Sequence, residues 1–141
     1  MSVAAPDILL VEDSETDIVL FKFAQQSNRS TTTIEIARDG VEAIEFLLGG
    51  EADTANRGKS LPRLVLLDLN MPRLDGFDVL QRLRADPRTA SLAVVIFSAS
   101  DHASDEQEAR RLGASGYVRK PSRFETLCTT LAELERDWLQ R

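Results

Sequence analysis

Cysteine occurs once in this chain, as Cys128, so neither an intramolecular disulfide nor a thiolate zinc cage can hold the fold together. Histidine is equally scarce. His102 stands alone and reads as a surface loop residue, not as a catalytic base or a phosphate carrier. Trp138, the one tryptophan, reads as a packing or interface residue. No apolar run approaches the ~20 residues that a membrane helix requires, which removes the membrane as a partner. Met1 to Asp7 has neither the basic start nor the apolar core of a signal peptide. Basic charge is in the minority, with 17 Lys and Arg against 23 Asp and Glu and a net charge of −6. A nucleic-acid binder needs a basic footprint to neutralise phosphates. Arg110, Arg111, Arg119 and Arg123 cluster near the C-terminal end but read as a solvated or partner-facing surface, so no nucleic acid is expected. These absences point to a cytoplasmic protein. Its 141 residues suffice for one domain, 1–141, with its own core and no output domain.

The hydrophobic runs are short and do not alternate with polar residues. Ile8-Leu9-Leu10-Val11, Leu64-Val65-Leu66-Leu67 and Val94-Val95-Ile96-Phe97 are rich in branched aliphatics. Strands buried on both faces have this composition, and that means a parallel sheet covered by helices. Between them lie segments of helical spacing. Ile18, Phe21 and Ala24 form one face, with Leu20 and Phe23 beside it. Val41, Ile44, Leu47 and Leu48 form a second, and Phe77, Leu80 and Leu83 a third. Phe124, Leu127, Cys128, Leu131, Leu134 and Trp138 recur at intervals of three and four in the last helix. Capping boxes are expected at Ser104 with Gln107 and at Ser122 with Glu125. Asp39-Gly40 ahead of Glu42 supplies a turn and an N-cap. The helix over Ser104–Leu112 has few apolar positions, so it should be thinly packed, with Gly113 as its left-handed stop. Gly49 to Pro62 reads as an extended surface loop.

Strand and helix alternate five times, which predicts an α/β doubly wound fold with a five-stranded parallel sheet, order 2-1-3-4-5. In that order the first and third strands are neighbours, and the crevice at their carboxyl ends is the default ligand site. Glu12 and Asp13 follow the first strand and Asp68 follows the third. Ser98 ends the fourth, and Lys120-Pro121 follows Gly116-Tyr117-Val118-Arg119.

Converging carboxylates repel, so one must take up a proton or a cation must neutralise them. Oxygen ligands at an accessible crevice suit Mg²⁺. Asp13 and Asp68 are the expected direct ligands, with Glu12 holding a metal-bound water and the Asn70 backbone carbonyl completing the shell. Alone, Glu12-Asp13 would read as an acid pair at a helix N-terminus; the convergence of Asp68 argues for more. Asp68 is the candidate nucleophile toward phosphorus, and Lys120 the cation that reaches it. Ser98 is placed to donate to a phosphoryl oxygen, and Ala99 is small enough to leave room for it. Tyr117 could swing inward when Ser98 is drawn toward phosphate. Pro121 is a candidate for a cis bond that would aim Lys120.

With these residues in order, the chain resembles the receiver domains of two-component response regulators over nearly its whole length. The stretch Asp68-Leu69-Asn70-Met71-Pro72-Arg73-Leu74-Asp75-Gly76-Phe77 is similar to that family's phosphorylation loop. The resemblance implies that a histidine kinase donates a phosphoryl group to Asp68 with Mg²⁺, and that Ser98 and Tyr117 are the switch residues. It implies that the signal leaves through the face of the fourth helix, fifth strand and fifth helix. The chain would be a phosphoacceptor switch and not an enzyme. The loop Gly49–Pro62, the Asp68–Arg73 stretch and Asp137-Trp138-Leu139 resemble single-domain regulators of bacterial phytochromes. That finer likeness implies a bacteriophytochrome kinase and a homodimer through the same face.

Rival readings are a chemotaxis-type or phosphate-sink receiver with another kinase, a metal-dependent small-molecule phosphatase, and a flavodoxin-like carrier. A haloacid-dehalogenase-like phosphatase wants a second acid where Asn70 stands. A flavin or nucleotide carrier needs a phosphate loop after the first strand, where Glu12-Asp13 would repel the ligand.

Overall fold

The computed structural model describes residues 5–49 and 61–139. The loop expected between Gly49 and Pro62 therefore lies, apart from its ends, outside the described residues. The strands are β1 (Ile8–Val11), β2 (Ile34–Ala37), β3 (Leu64–Leu67), β4 (Val94–Ser98) and β5 (Gly116–Arg119). The helices are α1 (Glu15–Ser27), α2 (Gly40–Leu48), α3 (Gly76–Ala85), α4 (Ala103–Arg111) and α5 (Phe124–Trp138). All pairings are parallel and the order is β2-β1-β3-β4-β5.

Side chains alternate across the sheet and divide the core in two. Leu9, Val11, Val65, Leu67, Val94 and Ile96 pack against α2, α3 and Ala109 of α4. Ile8, Leu10, Leu64, Leu66, Val95 and Phe97 pack against α1 and α5. Because helices cover both faces, both sets are buried and the strands read as continuous apolar runs. Phe21 of α1 meets Phe97 edge-on, with ring centroids 6.5 Å apart.

The helices are close to expectation but differ in phase. Ile18, Phe21 and Ala24 are buried, whereas Leu20 and Phe23 are 39% and 53% exposed. On α2 the buried stripe is Gly40, Ala43 and Leu47, and Val41 faces outward. Gly40 sets this phase, because a Cβ there would lie 2.2 Å from the Leu74 carbonyl oxygen. Neither expected serine box forms. The cap positions are His102 for α4 and Arg123 for α5, and neither makes a side-chain capping bond. Ser104 lies one residue inside α4, and Ser122 one residue before the cap of α5. A cap contributes about 1 kcal/mol, while burying Leu127, Leu131 and Leu134 stabilises α5 by roughly 1.5–3 kcal/mol each. Packing therefore decides where the helix begins. As expected, α4 is thinly packed, with Ala109 its one buried residue, and Gly113 follows it at φ +103°.

Asp39 does cap α2, accepting from the Glu42 amide at 2.8 Å, and it pairs with Arg73. The Glu42 N–H, with Arg73 beside it, holds the Asp39 carboxyl below the usual carboxylate range. A carboxylate lowered in the native state supplies stability that is present above its unfolded value and lost as pH falls. Asp39→Ala is expected to cost about 1 kcal/mol by urea unfolding at neutral pH, and less in acid. A variant as stable as the parent at pH 7 would show that the cap contributes nothing.

Candidate functional site

Glu12, Asp68 and Lys120 each sit on a backbone hydrogen bond just beyond a strand end. The Glu12 amide donates to the Ala37 carbonyl at 2.9 Å, that of Asp68 to Val11 at 3.1 Å, and that of Lys120 to Ser98 at 2.8 Å. The parallel ladder thus brings residues from distant parts of the chain to one sheet edge. One carboxylate oxygen each from Glu12, Asp13 and Asp68 lies within 4.8 Å of the others. Glu12 and Asp68 are buried, and Asp13 is exposed.

The Lys120 ammonium lies among these acids. Its Nζ is 2.5 Å from Glu12, 2.9 Å from Asp17 and 3.3 Å from Asp68. Burial pushes the Glu12 carboxyl up to about 7, assisted by the Asp68 charge and opposed by its bond to Lys120. Burial alone would lower the Lys120 ammonium. Its bonds to Glu12 and Asp17 and the nearby negative charges outweigh that and hold it above the ordinary lysine range.

Ser98 is fully buried at the end of β4 and its Oγ accepts from the Ser100 amide at 3.3 Å. Ala99, the next residue, is exposed. The half-buried Tyr117 donates its hydroxyl to the Ser100 carbonyl at 3.1 Å, which connects Ser98 to Tyr117 through one residue. Burial raises the Tyr117 phenol. The Ser100 hydroxyl also donates to Asp105 in the first turn of α4. Asn70 donates its amide to Asp68 Oδ1 at 3.4 Å and lines, with Asp13, Met71 and Asp105, a crevice of about 390 Å³.

The Pro121 expectation is corrected. The Lys120–Pro121 bond is trans, the form favoured by about 0.5–1 kcal/mol for X-Pro. The Lys120 amide bond to Ser98 and the three carboxylates aim the lysine without a cis turn. Sequence reading also missed Asp17, four residues beyond Asp13 on α1. The N-cap at Ser14, whose Oγ accepts from the Asp17 amide, was the available signal that this residue starts beside the cluster.

The donor set fits a hard divalent cation. It is all oxygen, carries more negative charge than Lys120 can balance, and includes one exposed carboxylate through which an ion could enter. With two of the three carboxylates buried, protons and cations compete for the same oxygens.

The chain is similar to the probable methanogenesis regulatory protein FilR2 of Methanothrix harundinacea, at 36% identity over 132 residues, covering 94% of this chain and 83% of that one. The crystal structure of the phosphorylated cyanobacterial phytochrome response regulator RcpA superposes with a TM-score of 0.83 at 33% identity, covering 96% and 95% of the two chains. The Mn(2+)-bound form of response regulator Rcp1, a protein of Synechocystis sp., superposes with a TM-score of 0.80 at 32% identity and the same coverage. With the model of the response regulator receiver domain matching residues 8–132, over the sheet and the crevice just described, the chain belongs to that family.

Proposed function

We propose that this receiver takes a phosphoryl group on Asp68 from the phosphohistidine of a kinase, in a Mg²⁺-dependent reaction. The observation that carries this reading is the Lys120 ammonium, 3.3 Å from an Asp68 carboxylate that shares its pocket with Glu12 and Asp13. An Asp68 oxygen forms the new P–O bond as the donor's P–N bond breaks. The leaving imidazole keeps the bonding pair and takes up a proton. Asp13, Asp68 and the Asn70 carbonyl would hold Mg²⁺, with Glu12 acting through water, and the ion would neutralise phosphoryl charge. Lys120 donates to one phosphoryl oxygen and Ser98 to another, and Ala99 leaves space between them. Drawing Ser98 toward phosphorus takes its Oγ away from the Ser100 amide, and Tyr117 is bound to the carbonyl of that same residue. The switch thereby reaches β5 and α4.

The finer identity rests on the relatives. RcpA is a phytochrome response regulator by name, so a bacteriophytochrome-type kinase is the proposed donor. This chain and RcpA match over 96% and 95% of their lengths, so the likeness spans nearly the whole of that regulator. The proposed output is contact with another protein, in the cytoplasm, with no nucleic acid and no turnover of a small-molecule substrate. The proposed dimer face is α4, β5 and α5, where β5 is an edge strand only half covered by its neighbours.

Incubation with acetyl phosphate and Mg²⁺, followed by intact mass, tests the core of the proposal. The parent protein is expected to gain one phosphoryl group, with none gained by Asp68→Asn and none when a chelator replaces the metal. Equal uptake by Asp68→Asn sinks the assignment.

A further inference from the structure

We propose that Asp17 competes with the incoming phosphoryl group for Lys120, so that this acid limits how fast Asp68 is phosphorylated; the inference rests on the phosphoacceptor reading above. A lysine ammonium has three N–H donors. Here all three have carboxylate acceptors, Glu12 at 2.5 Å, Asp17 at 2.9 Å and Asp68 at 3.3 Å. The ammonium lies closer to Asp17 than to the residue it must assist. A phosphoryl oxygen on Asp68 is a further acceptor, so one existing partner has to yield.

Exposure decides which one. The Glu12 and Asp68 side chains are 3% and 8% exposed, and a carboxylate stripped of its cation there stays buried without compensation. The Asp17 side chain is 40% exposed on the first turn of α1, so water replaces the lysine at little cost. Among the described residues, the oxygen cluster able to hold a metal is Glu12, Asp13 and Asp68, without Asp17. A bound cation can therefore relieve Lys120 of its other partners but leaves Asp17 as its remaining counter-ion. The transition state must draw the ammonium away from that residue.

The test is the rate constant of phosphorylation by acetyl phosphate at saturating Mg²⁺, followed by time-resolved intact mass. Asp17→Asn keeps the shape and removes the charge, and is expected to phosphorylate about two- to fivefold faster, the scale of a half-exposed ion pair. Asp17→Glu restores the slow rate. Glu15→Gln removes the same charge from the same turn, where Glu15 pairs with Arg38 at 3.3 Å and not with Lys120. Its rate is expected to equal that of the parent. A structural role for Asp17 would show in thermal unfolding and would not accelerate the reaction. An unchanged or slower Asp17→Asn overturns the proposal, as does a Glu15→Gln that speeds up equally. Those results leave the function of Asp68 standing. A parent protein that takes up no phosphate, or one matched by Asp68→Asn, removes the function and this inference with it.

Discussion

Lys120→Ala is expected to destabilise the metal-free protein by about 3 kcal/mol at pH 8, because it leaves the buried Glu12 and Asp68 carboxyl groups without their cation. The loss should be smaller at pH 5. In the native state the Glu12 carboxyl titrates near 7, above its ordinary 4.5. Between those values the native state holds a proton that the unfolded chain has released, so stability falls as pH rises across that window. Removing the lysine takes away the bond that opposes this rise, and widens the window upward. Lys120 itself stays charged across pH 5–8, so the pH dependence of the loss comes from Glu12. Mg²⁺ binds only the assembled oxygens and should recover part of the stability by mass action. Urea unfolding at pH 5 and pH 8, with and without Mg²⁺, measures all four corners. A cost that ignores both pH and metal would mean that the lysine acts by packing alone. Phosphate uptake should fall as well, since the remaining Ser98 donor carries no charge.

Gly76→Ala is the second large effect. A Cβ at Gly76 would lie 2.4 Å from the Asp68 carbonyl oxygen and 2.8 Å from the Leu69 Cα. Both are backbone atoms, so no side chain can rotate away. The Gly76 amide also donates to the Leu69 carbonyl at 3.0 Å, which fixes the approach of α3 to the end of β3. The added methyl must push α3 off the strand or displace Asp68. Overpacking of this kind costs about 1–3 kcal/mol. A displacement of the proposed nucleophile by about 1 Å costs on the order of a hundredfold in rate. The expected result is a folded protein with a lower unfolding midpoint and phosphorylation slowed by roughly that factor. Gly116→Ala is the comparison, because its Cβ would meet nothing closer than Trp138 at 3.4 Å. If the two variants phosphorylate alike, close approach at Gly76 does not position the acid.

The contrast between these glycines shows what the sequence could and could not reveal. Strands β1, β3 and β4 were legible because burial on both faces leaves an unbroken apolar run. The cluster of Glu12, Asp13, Asp68 and Lys120 was legible for a related reason. Chemistry placed directly after such a run must lie at the carboxyl edge of a parallel sheet. The buried face of α2 was legible only in part: Leu47, Ile44 and Leu48 do pack against the core, but Gly40 and Ala43 carry almost no hydrophobic signal and pack by being small. The serine caps misled because a one-residue shift separates a cap from a first-turn residue, and helix packing outweighs the bond that a cap offers. Asp17 was missed because its contact with Lys120 depends on how α1 rotates against the end of β5. The Pro121 expectation failed because the Lys120 amide bond to Ser98 and the three carboxylates around its ammonium already aim the lysine.

The pairing of Lys120 with Asp17 joins residues 103 positions apart. A ribosome delivers Glu12, Asp13 and Asp68 well before it delivers their lysine. A nascent chain able to assemble β1 and β3 early would gather its acids with no internal counter-ion, and would have to borrow one from the medium as protons or magnesium. Completion of the pocket then waits on docking of the final strand, so a chain truncated before β5 should depend on divalent metal for whatever partial structure it keeps.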